Sequence, residues 1–373
     1  MQRLYGWVIG MLVCLMPALV HAEAVLNLYQ QSELVVSQSL TERRQAAAEG
    51  LAVVLVRVSG QPQVLTAPEV KAALAAPDRY VEAFRYESGS ETLERDGAQV
   101  PATSLVFNYS RGAVESLLRQ AGLPLWPANR PAVLVWLVTD ELQAGRQLVS
   151  LQGNSELSLA VRKEAAARGL PLVAPLLDLE DQVALNADDL WNLDQSVIEE
   201  ASARYGAGAI LVGRYSQVSS GRWLASWTLL HKQDRRVFDA EGETDAEVVN
   251  AALNYTSDYL AGIYAISTRG GAAADLVVMD IEQVDGFADY VKALAYLQGL
   301  AMVRELEVVA VESTQVRVAL RTEGQISQLQ GALELDYRLS LVTPATGSGT
   351  VALPQELAPS GSEQNPLRYR WSG

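Results

Sequence analysis

The chain has 373 residues, 49% of them hydrophobic and 20% charged, and its formal net charge is −15. That is a globular composition, long enough for about two or three domains. A surface this acidic repels nucleic-acid backbones and anionic lipid, so neither is an expected direct partner.

Residues 1–22 read as a secretion signal: Arg3 supplies positive charge, Leu4 to Val20 is an apolar run, and Val20-His21-Ala22 is a small-residue cleavage site. The expected location is therefore the periplasm. The alternative is an uncleaved anchor in the inner membrane, because the run is about the minimum length for a bilayer span. Cleavage after Ala22 removes Cys14, the one cysteine, and His21, one of two histidines. The remaining chain then has no disulfide, no Cys nucleophile and no Cys/His zinc set, and neither a metal nor a cofactor is expected.

An N-terminal α+β domain is expected over residues 23–127. Glu33-Leu34-Val35-Val36 reads as a strand. Ser39-Leu40-Thr41-Glu42 reads as a capping box for a helix that stops at Ser59-Gly60. Thr66-Ala67-Pro68-Glu69 repeats the capping pattern before a shorter helix. Tyr80 to Glu87 and Ser104 to Tyr109 read as strands, with a loop or hairpin tip from Ser88 to Ala102, and Ser110 caps a further helix.

Residues 131–266 read as a mixed-sheet domain of order β-α-β-α-β-β-β-α. Ala132 to Val138 (AVLVWLV) is continuously apolar, as in a parallel strand buried on both faces. Helix Ser155 to Arg168, strand Leu170 to Ala174, and a helical stretch from Asn186 or Asp188 to Tyr205-Gly206 follow. Strands Ala209 to Tyr215, Arg222 to Lys232 and Arg235 to Glu243 come next, then a helix from Asp245 to about Ala265. After a linker, Ser267 to Asp275, residues 275–343 give a β-α-β-β-α-β order, which suits a small ferredoxin-like unit. Residues 344–373 are rich in Gly, Ser and Pro and read as a disordered tail.

Motifs that carry chemistry are scarce. His231 shares strand parity with Trp223, Ala225, Trp227 and Leu229, ends that strand beside a turn, and reads as a half-exposed residue, not a catalytic one. Gly206-Ala207-Gly208 follows a helix and precedes a strand, which suits a helix C-cap and not a phosphate loop. Asp178-Leu179-Glu180-Asp181 lacks calcium-loop spacing, and Asp188 and Asp189 suit the first turn of a helix. Trp223 and Trp227 read as sheet packing more than a sugar platform.

LVRVSG (55–60), GLPLW (122–126), RPAVLVWLV (130–138), GLPLVAPLLDLED (169–181) and AILVGRYSQVSSGRWLASWTL (209–229) together resemble the Gram-negative domain-of-unknown-function family 2066. That resemblance implies no catalytic residues. The middle unit is similar in architecture to the amino-terminal domain of the translocation protein TolB and to periplasmic lipoproteins that activate penicillin-binding proteins. Both resemblances imply a non-catalytic module that docks on other cell-envelope proteins. Three functions are weighed. The first is an envelope interaction protein of undetermined oligomeric state. The second is a small-ligand or glycan binder with a cleft at Asp140, Asp178 and Arg214. The third is a hydrolase pairing Asp140 with Asp178 or Glu180.

Overall fold

The computed structural model describes residues 27–89, 91–95, 97–267, 275–335, 338–342 and 360–373. The expected secretion signal lies outside the described residues, as does most of the expected linker. No described helix is long and apolar enough to cross a membrane.

The first unit is a three-stranded antiparallel sheet covered by helices. Strand β1 (Gln30–Val35) leads into α1 (Leu40–Ser59) and α2 (Pro68–Ala75). Strand β2 (Val81–Glu87), a separate hairpin of β3 (Thr92–Arg95) and β4 (Ala98–Pro101), strand β5 (Thr103–Tyr109) and helix α3 (Arg111–Gln120) follow. The sheet order is β1-β5-β2. Leu51, Val54, Leu55 and Val58 of α1 pack on Leu105, Phe107 and Tyr109 of β5. Ser39 caps α1 by accepting from the Glu42 N–H. The expected reciprocal bond is not made, because the Glu42 carboxylate takes the Val36 N–H and the Ser37 hydroxyl instead. Nor does Thr66 cap α2: it donates to Gln63 O inside the preceding 3-10 turn, and Ala67 stands at the cap.

The middle unit is a sheet between two helical layers. Two-residue β6 (Pro124–Leu125) precedes β7 (Val133–Glu141), β8 (Gly145–Leu148), α4 (Glu156–Arg168) and β9 (Leu172–Val173). Short helix α5 (Leu179–Ala184) precedes the expected helical stretch, which is itself divided between α6 (Ala187–Asn192) and α7 (Gln195–Ala203). Leu193 ends α6 in the left-handed conformation, and Asp194 starts α7 by capping Val197. Strands β10 (Ala209–Gln217), β11 (Trp223–His231) and β12 (Asp234–Gly242) then lead to α8 (Asp245–Tyr264) and β13 (Ile266–Ser267). The order is β12-β11-β10-β7-β8, with β9 also on β7, and β10 and β9 run parallel to β7. Alternation decides which side of β7 faces which layer. Val133, Val135 and Leu137 meet the core shared with α4 and α8. Leu134, Trp136 and Val138 meet the core under α5–α7.

The third unit keeps the β-α-β-β-α-β order in β14 (Asp275–Glu282), α9 (Phe287–Gly299), β15 (Val303–Glu312), β16 (Gln315–Thr322), α10 (Ile326–Leu335) and β17 (Leu339–Leu341). The expected disordered tail needs correction. Within it, β18 (Leu367–Trp371) is a strand, and the sheet order is β15-β16-β14-β18-β17. Leu367, Tyr369 and Trp371 are buried in this unit's core, so burying one face of β18 outweighs the loop-like composition before it. The whole is a multi-domain α+β protein.

Candidate functional site

The helices over the second face of the middle sheet cover only part of it. Helices α5–α7 bury the side of β7 and the adjoining Val212 of β10. The same face of β11 and β12 carries Leu224 and Val237, exposed at 43% and 58%. Where the cover ends, Trp191 of α6 overlooks a groove of about 640 Å3 lined by Arg214, Ser216, Leu224, Ser226 and Asp239. Arg214 rises from β10 into this groove. Its guanidinium donates to Trp191 O at 2.9 Å and Ser226 Oγ at 3.2 Å, and its buried Nε has no protein partner among the described residues. Burial lowers its pKa, and Asp239 nearby opposes that shift.

Of the three cleft residues expected from sequence, only Arg214 lines this groove. Asp140 stands opposite Arg146 across β7 and β8 and pairs with it at 3.8 Å; Arg146 also holds Asp188. Asp178 caps α5 and pairs with Arg204 at 2.9 Å, and Glu180 pairs with the same arginine. The side-chain bond from Arg204 holds the Asp178 carboxyl below its ordinary range. The carboxylates offered for hydrolysis are thus divided between two arginines. Trp191, which sequence reading did not single out, is the aromatic wall; its only signal was an indole beside the Asp188-Asp189 pair at a helix start.

His231 is not half exposed as expected. It is 4% exposed, its Nε2 lies 2.9 Å from the Tyr264 hydroxyl, and the rings of Tyr259 and Tyr264 meet it edge-on. Trp227, on the same strand face, is fully buried against the α8 side, so it packs a sheet and offers no sugar platform. Gly206 is left-handed at φ +59°, but it is not the C-cap expected of it: Arg204, two residues earlier, caps α7.

Several of the quoted motifs meet at one place, and it is a joint between units. Gly60 ends α1 at φ +76°, and a Cβ there would strike Ala261 and Trp126. Arg57, in LVRVSG, donates to Gln30 O at 2.7 Å and to the Gln31 side chain. Arg130, the first residue of RPAVLVWLV, donates to Arg57 O, Trp126 O and Gly169 O at 2.8–2.9 Å and stacks over the Trp126 ring at 4.0 Å. Arg168, just before GLPLVAPLLDLED, donates to Gly60 O, Asn254 and Asp258. The carbonyl ends of α1 and α4 converge here, and those ends carry the negative pole of each helix, so the buried Arg57 and Arg130 are satisfied mainly by backbone oxygens, while Arg168 adds the Asn254 and Asp258 side chains to Gly60 O. Burial lowers the Arg130 pKa, and the charges of Arg57 and Arg168 pull the same way.

Residues 22–127 match a family model described as Domain of unknown function (DUF8605). That match covers the first unit and assigns no activity. No curated protein matches the chain. Seven chains of solved structures do. One of them, titled "Crystal structure of uncharacterized protein", is 11% identical and covers 36% of this chain and 91% of its own, with a TM-score of 0.17. At that score it carries no argument about fold or function. The resemblance read from the motifs is thereby supported only as a domain of unknown function. The joint gives those motifs a physical role that needs no active site.

Proposed function

We propose that the chain is a non-catalytic accessory protein of the cell envelope that docks a protein partner on the open face of its middle sheet. The carrying observation is the bare half of that face, where Leu224 and Val237 lie exposed beside the Trp191 groove. Exposed apolar side chains next to a half-buried tryptophan are the composition of an interface core. The resemblance of the motifs to family 2066, and of the middle unit to the TolB amino-terminal domain, agrees with this reading. The apolar run after Arg3 and the start of the family match at residue 22 agree with export and cleavage after Ala22.

The test places a photo-crosslinking residue at position 224 or 237 in cells, with position 84, an exposed phenylalanine of the first unit, as control. A discrete adduct from 224 and 237, absent at 84 and lost with Trp191→Ala, is expected. No adduct, or equal labelling at all three positions, removes the proposal. Amino-terminal sequencing of the osmotic-shock fraction should start at Glu23.

One observation favours a ligand in the same groove. Trp191, Ser226 and Asp239 put an aromatic face beside hydrogen-bonding groups, the chemistry of a sugar subsite. Titration with soluble peptidoglycan fragments separates the two readings, since a saturable quench of tryptophan fluorescence belongs to the second alone.

A further inference from the structure

We propose that β18 is an exchangeable strand, and that the slot between β14 and β17 takes residues 360–373 of a second copy of this chain. In a plain β-α-β-β-α-β sheet, β17 would lie directly on β14. Here β18 separates them, parallel to β14 and antiparallel to β17.

The slot reads its occupant on both faces. On the core side, Leu367 lies opposite Met279 and Tyr369 opposite Ile281, all buried. On the other side, Arg368 lies opposite Asp280 and Arg370 opposite Glu282. Asp280 is also held by Arg317 of β16, so the charge match with β18 adds to an existing ion pair. A one-residue slip would turn the arginines of β18 into the core, so the apolar–basic alternation fixes the register. Main-chain bonds close both ends of the β17–β18 pair: the Ser372 N–H donates to Arg338 O, and the Val342 N–H to Arg368 O, each at 2.9 Å.

The connectivity makes this strand separable. Antiparallel neighbours such as β17 and β18 can be joined by a two-residue turn. This chain instead places residues 342–366 between them. A longer tether lowers the effective concentration of the tethered strand. The same segment on a second copy makes identical contacts, so swapping loses none of them.

The experiment uses the full chain with a specific protease site inserted after residue 350, cut after folding. The cut protein is incubated with excess fluorescent peptide of residues 360–373. The peptide should enter the protein peak on gel filtration and displace the native segment. A peptide carrying Arg368→Glu and Arg370→Glu should compete about tenfold less well, the effect of two reversed cross-strand pairs. The intact chain, held at high concentration, should form a dimer that reverts on dilution, and the same double substitution in the chain should change the dimer fraction. Failure of the peptide to enter while the cut protein stays folded would overturn the proposal. So would equal competition by the charge-reversed peptide. Peptide entry with no dimer of intact chains would overturn the second copy as occupant.

Discussion

His231 occupies the last position of β11 on the face that meets α8, and two tyrosines from that helix close over it. Burial lowers its pKa and the Lys232 charge beside it acts in the same direction, while Asp234 opposes. The folded chain thus holds the ring neutral more firmly than the unfolded chain does, whose pKa is near ~6.5. A group depressed in this way adds stability above the unfolded value, and that stability is lost as pH falls through the folded value. The thermal midpoint should therefore fall as pH drops below about 6.5, and His231→Phe should remove that part of the fall. An unchanged slope in the variant would assign acid sensitivity to carboxylates instead. His231→Ala should cost about 2–5 kcal/mol, as for other truncated buried side chains, and not the small change of a surface site. The strand parity of His231 was legible in the alternation of its neighbours. Its burial was not, because the covering Tyr264 comes from an element 33 residues on.

At the scale of elements, the sequence exposed most of the strands and helices through their periodicity and caps. Ser39, Ser110 and Ser155 each cap the helix expected of them, and the continuous apolar run of β7 is buried on both sides. The sequence did not mark strand β8 or helix α5, and the element it hid with most consequence was β18. LRYRW alternates strictly, but a five-residue alternation after a Gly/Pro-rich stretch is weak without the neighbour that pairs it, and that neighbour, β14, lies far back in the chain. The same distance hid the groove: Trp191 and Arg214 sit on different elements, and only the sheet order brings them together. Two consequences can be measured. Trp136→Ala and Trp371→Ala should both lower stability by about 3–5 kcal/mol, since both indoles are buried; a silent Trp371→Ala would return residues 367–371 to a dispensable tail. Gly213→Ala should also destabilise, by about 1–3 kcal/mol of overpacking, because its Cβ would fall 2.3 Å from the Trp227 ring, with Leu137 close behind. Calorimetry of the three variants checks both.

The whole molecule is held as one body by contacts that no single motif announces. Strand β13 pairs with β6, so the end of the middle unit is bonded to the end of the first. Lys232 meets Glu334 at 2.8 Å and Asn129 donates to Ala332 O, which seats α10 of the third unit on the second. The strongest tie is the arginine joint, since its groups are buried and exposed ion pairs contribute at most about 1 kcal/mol each. Arg130 is its hub, because its guanidinium bonds carbonyls from the end of α1, from the segment before β7 and from the end of α4. Arg130→Met keeps much of the apolar stem over Trp126 but leaves those oxygens buried without donors, each at a cost of about 1–3 kcal/mol. Removing a cation from beside Arg57 and Arg168 gives some of this back. The loss should fall on the coupling between units more than on either core, as neither hydrophobic cluster contains Arg130. The native chain should therefore unfold with the first two units in one calorimetric transition, and Arg130→Met should split that transition in two, with the far-ultraviolet circular dichroism of each unit intact below the first midpoint. A variant that melts in a single transition at an unshifted temperature would show that the β6–β13 pair and the Trp126 contacts suffice to hold the units together.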